Sequence, residues 1–64
     1  MTQKELAYIE DAIGHESTII SILEDEVGNI KDENLVSFIE NELAIHNDNK
    51  EKLINILEAK INEW

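Results

Sequence analysis

The sequence predicts an all-α fold, a two-helix antiparallel hairpin that dimerises into a four-helix bundle. Three observations predict it. Apolar residues recur at alternating steps of three and four through both halves of the 64-residue chain, which is helical periodicity. A glycine–asparagine step and then an acidic segment interrupt that pattern once, near residue 30. The apolar surface is also wider than one hairpin can hide.

The first helix should run from about residue 3 to 27. Thr2-Gln3-Lys4-Glu5 has the form of a capping box, with a hydroxyl before the helix and a carboxylate three residues on. Its seam reads Leu6, Ile9, Ile13, Glu16, Ile20, Leu23, Val27 and Ile30, apolar at every position but Glu16. Gly14 lies inside this helix at a cost of about 1 kcal/mol relative to alanine, which a close approach of another backbone would explain. The turn should occupy about 28–32. Gly28 and Asn29 are the residues that best tolerate the left-handed conformation at a helix end, and Asp32 is placed to cap the second helix.

The second helix should span about 33–62. Its seam is Val36, Ile39, Leu43, His46, Lys50, Leu53 and Leu57, with Trp64 one heptad further on. Asp48-x-x-Glu51 offers an alternative start that would break it into two, but the apolar phase continues across that stretch and no proline or glycine interrupts it. Ile19, Ile22, Phe38, Ile45, Ile54, Ile56 and Ile61 flank the two seams. A homodimer of hairpins is the simplest arrangement that covers them. The whole chain, 1–64, reads as one helical hairpin domain.

Composition narrows the function. A chain this short buries little apolar surface and needs a staple. It has no cysteine, so the staple is oligomerisation or a non-thiolate metal site. A formal net charge of -10 repels nucleic acid and anionic membrane surfaces, and neither is expected as a partner. The same charge suits a cation or a basic protein partner. The chain opens without a basic-then-apolar leader and holds no apolar run of membrane-spanning length, so a cytoplasmic location is expected. No serine–histidine–aspartate pattern, phosphate-binding glycine loop or EF-hand spacing occurs.

One constellation carries chemistry. Antiparallel pairing about Ile30 puts Glu16 opposite residue 44 or so, bracketed by Glu42 and His46 from the facing helix. Glu16, Glu42 and His46 are therefore the candidate metal ligands. In a dimer the set doubles, and helical bundles build di-iron and di-manganese sites from such carboxylates and imidazoles. The match is incomplete, because Glu42 and His46 are four residues apart where those sites use three. The alternative is a polar layer in which Glu16 and His46 pair with each other and fix register. His15 lies about 100° round the helix from Glu16 and reads as a surface or interface histidine. Tyr8 and Trp64 fall at the same end of the hairpin, as an aromatic plug. Glu10-Asp11 and Glu24-Asp25-Glu26 read as solvated faces.

The segment Thr2-Gln3-Lys4-Glu5-Leu6-Ala7-Tyr8-Ile9-Glu10-Asp11-Ala12-Ile13-Gly14-His15-Glu16 resembles small clostridial proteins labelled spore coat proteins, related to the ferritin-like coat protein F group. Leu35 to Ala44 and then His46 are similar to the second helix of the same family. The resemblance implies a ferritin-like helical hairpin bundled with itself and an association with sporulation or the spore. Glu16 and His46 match the recurring His-Glu and Ala-x-His elements, in a family whose metal motif is commonly incomplete. Two-helix sporulation phosphatases carry a Ser-Gln-Glu-Leu-Asp signature that is absent here. The expectation is a non-enzymatic structural or interaction protein without a cofactor. Its competitors are a minimal iron or manganese carboxylate protein and an acidic adaptor for a basic protein.

Overall fold

The computed structural model describes residues 1–63 and consists of two helices, α1 (Gln3–Asn29) and α2 (Glu33–Asn62), packed against each other as an antiparallel hairpin. Both N-termini are capped as their sequences dictate. The Thr2 hydroxyl accepts the Glu5 amide at 3.0 Å and the Glu5 carboxylate accepts the Thr2 amide at 2.8 Å, closing the capping box. Those bonds from Thr2, backbone first, hold the Glu5 carboxyl below its ordinary range, with smaller help from the terminal amino group and Lys60. Lys60 acts there because the hairpin returns the end of α2 to the start of α1. The Asp32 carboxylate accepts the amides of Asn34 and Leu35, at 2.9 and 3.0 Å, and so starts α2.

The turn departs from expectation. α1 continues two residues further, through Gly28 and Asn29, and no described residue has a positive φ. The helix instead ends at Ile30 in an extended conformation, and the Asn29 side-chain amide donates to the Asp25 carbonyl at 2.8 Å. A side chain thus satisfies a carbonyl that a left-handed cap would have satisfied with backbone. The expected close approach at Gly14 is also absent within the hairpin, since a Cβ built there meets nothing within 4 Å.

α2 is a single helix through the polar stretch 46–50. Asp48 does not start a new helix; it pairs with Lys52 one turn on, at 3.0 Å, an exposed pair worth about 0.3–0.5 kcal/mol. Lys50 is half-buried in the seam, where its methylene stem can pack while the ammonium reaches water.

The hairpin is a rod, 48 × 14 × 11 Å, and its core is thin. Every seam residue from Leu6 to Ile30 and from Val36 to Leu57 is at least half-buried. Among the described residues, however, only Ile20 and Ile39 are fully buried, at 8% and 5% exposure. The chain exposes 4822 Å², against about 4,200 Å² for a compact protein of its mass. Tyr8 is exposed, and Trp64, the other half of the expected aromatic plug, lies outside the described residues.

Candidate functional site

The two seams meet at mid-length in one polar layer. Glu16 lies halfway along α1 and His46 halfway along α2, and the antiparallel register brings them into direct contact. His46 Nδ1 lies 2.6 Å from Glu16 Oε2, a short, charge-assisted hydrogen bond. Their side chains are 22% and 17% exposed, so the bond is largely shielded from water. With a carboxylate as acceptor, Nδ1 carries the proton and donates it. Nε2 is left facing Glu42, whose Oε2 lies 3.8 Å away, beyond hydrogen-bond reach.

The three residues singled out from sequence are therefore together, with unequal roles. Glu16 is engaged on the inner nitrogen of His46, while Glu42 stands by the outer one. Among the described residues no group of three or more histidine, aspartate and glutamate side chains converges to hold a metal ion within one chain. A di-metal centre of the ferritin type needs Glu16 as a ligand, and its hydrogen bond to His46 does not fit that use in a single hairpin. No pocket opens on the described surface. No described helix is long and apolar enough to cross a membrane.

The second feature is a one-sided apolar face. Large apolar residues exposed among those described are Tyr8, Ile22, Leu35, Phe38, Ile45, Ile56 and Ile61. All but Ile61 occupy the position immediately before a seam residue, about 100° round the helix from the seam. Because the helices run antiparallel, the same rotation carries both stripes to the same side of the hairpin. Ala12 and the half-buried Ile19 continue the stripe on α1. The positions immediately after seam residues, which form the opposite side, hold small or polar residues, with Ile54 as the one large apolar side chain among them. Leu35 and Tyr8 are the members of this face that the flanking set lacks, Tyr8 being assigned to the end plug. The signal for Leu35 was the run Leu35, Phe38, Glu42, Ile45, a second series of threes and fours offset by one residue from the seam.

Glu42 lies near the middle of that apolar face, level with Ile19 on α1 by register, while His15 is level with His46. The polar layer and the apolar face thus adjoin along Glu42 and His46. Comparison of the chain with protein-family models, with curated proteins and with solved structures found no match.

Proposed function

We propose that this protein is a non-enzymatic structural module that pairs with a second copy of itself, closing two hairpins into a four-helix bundle. The observation that supports this reading is the apolar face on one side of the hairpin. Phe38 at 61% and Ile45 at 48% exposure flank Glu42 on one side of the hairpin, and large apolar side chains gathered on one side mark an interaction surface. The whole of that side of the rod, 48 by 14 Å, is about the size of the roughly 800 Å² per partner of a stable interface, so pairing would use its full length. The remaining surfaces are acidic or small and polar, which keeps the assembly soluble and stops growth beyond the pair. A role at the spore surface is inferred from the resemblance of residues 2–16 and 35–46 to spore coat proteins, and the self-paired rod is a suitable unit for such a layer.

Sedimentation velocity at micromolar concentration tests the pairing. The expected mass is that of two chains of 7.4 kDa each. Phe38→Asp and Ile45→Asp, each placing charge in the face, should return the mass of one chain with helicity retained. A wild-type chain that is folded and monomeric at tens of micromolar overturns the proposal.

A further inference from the structure

We propose that the paired hairpins hold one divalent transition-metal ion, zinc in the first instance, between the Glu42 and His46 side chains of the two copies. The inference rests on the self-pairing reading above and assigns Glu16 to the imidazole, not to the metal.

The imidazole is the starting point. His46 Nδ1 donates to Glu16 at 2.6 Å, which orients the ring and makes Nε2 the nitrogen that a metal would take. A carboxylate behind the imidazole is the usual support of a metal-bound histidine. Glu42, which stands on the side of the hairpin that carries the apolar stripe, holds its Oε2 3.8 Å from Nε2 on the same helix, one turn away. Two donors at zinc distances in tetrahedral geometry are about 3.4 Å apart. A change of about 0.4 Å in the half-exposed Glu42 rotamer therefore brings both onto one ion. Each chain supplies only this pair, and among the described residues no third donor joins it. The site is incomplete without a second copy.

Symmetry supplies the rest. The polar layer lies at mid-length of both helices. A two-fold axis along the rod brings equal heights together everywhere, and one across its middle reverses heights about the centre. Under either docking the two His46 residues meet at the same level, and with the axis along the rod the two Glu42 residues do as well. Two imidazole nitrogens and two carboxylate oxygens then face each other, a donor set that suits zinc. With the axis along the rod, the metal-free pair brings the two Glu42 carboxylates close together, and a bound dication relieves that repulsion. His15 also lies on this face at mid-height and is the histidine to separate from His46 by mutation.

Zinc content by elemental analysis after equilibrium dialysis against zinc chloride, with mass by sedimentation equilibrium on the same samples, tests the site. Wild type should take one zinc per two chains, and zinc should tighten the pair at least tenfold, reversibly with a chelator. Cobalt substitution should give the visible absorption of a tetrahedral ion. Glu42→Gln and His46→Ala should lose the metal, while His15→Ala keeps it. Glu16→Gln should keep the stoichiometry and bind about 10–100-fold more weakly. Glu42 is half-exposed, so loss of zinc in a Glu42→Gln chain of wild-type helicity reports ligation and not misfolding. A dimer that binds no zinc overturns the site and leaves the pairing standing. A monomer that binds none overturns both. Zinc retained at one or more per chain in Glu42→Gln places the metal elsewhere and overturns the assignment.

Discussion

Replacing both members of the polar layer by leucine should make the protein more stable, although either replacement alone should not. The magnitudes come from the geometry. The Glu16–His46 bond, 2.6 Å long between side chains 17% and 22% exposed, is worth about 1.5–3 kcal/mol as a charge-assisted bond. Each leucine placed in the seam contributes about 1.5–3 kcal/mol by burial. In Glu16→Leu these nearly cancel, because the released Nδ1 belongs to a ring that water still reaches. His46→Leu is the costly change: it leaves the Glu16 carboxylate without its partner among apolar neighbours, a loss of about 3 kcal/mol or more. After the gain of one leucine, the net loss is about 1–2 kcal/mol. The double variant gains two leucines against one bond and should rise by about 1–3 kcal/mol. Thermal unfolding monitored by circular dichroism, at one fixed chain concentration, reads the cycle at about 4–8 °C per kcal/mol for a chain of this size. The expected order is double variant, wild type, Glu16→Leu, His46→Leu. A His46→Leu protein as stable as wild type would refute the reasoning, since it would mean that the Glu16 carboxylate reaches water at no cost.

Separate features of the hairpin carry further expectations. Phe38→Ala removes a ring that is 61% exposed in the hairpin, about 120 Å² of apolar surface, or about 3 kcal/mol per copy if pairing covers it fully; even half coverage should weaken the dimer about a hundredfold by sedimentation equilibrium. Gly14→Ala, where an added Cβ meets open space, should stabilise the protein by about 1 kcal/mol, and an unchanged or lower melting temperature would show that this side of α1 is covered in the assembly. Glu5 is held below its ordinary range by its bonds to Thr2. Its contribution is therefore present above the unfolded carboxylate value and is lost as pH falls through the lower folded value. Amide exchange in the first turn of α1 should accelerate there, and Glu5→Gln should flatten that dependence. Two chains of formal charge -10 repel, so sedimentation equilibrium should show tighter pairing at about 300 mM than at about 20 mM salt.

The seam was legible because period and burial obey one rule. A residue every three or four positions faces the neighbour, whatever its chemistry, and Glu16, His46 and Lys50 kept phase despite their polarity. The caps were legible because Thr2, Glu5 and Asp32 bond to amides within three residues of themselves. The meeting of Glu16 with His46 needed only the turn position and equal rise per residue. The unequal roles of Glu16 and Glu42 were not legible, because side-chain rotamers decide which ring nitrogen each carboxylate meets. The end of α1 was misread for a related reason. Gly28 permits a left-handed cap but does not compel one, and the Asn29 amide satisfies the Asp25 carbonyl instead. The one-sidedness of the exposed stripe needed the antiparallel sense of the helices as well as the spacing.

The two fully buried residues, Ile20 and Ile39, lie on the same side of the polar layer, between it and the turn. On the other side the seam contains Lys50 and no fully buried residue among those described, and there the chain ends are not joined by a loop. The rod should therefore behave as a zipper clamped at one end. Amides of residues 3–15 and 47–62 should exchange through a partial opening in which the helices part down to the Glu16–His46 layer, while those of 17–29 and 33–45 await complete unfolding. A hairpin with such a hinge has one end firm enough to be anchored and one end free to open against a neighbour.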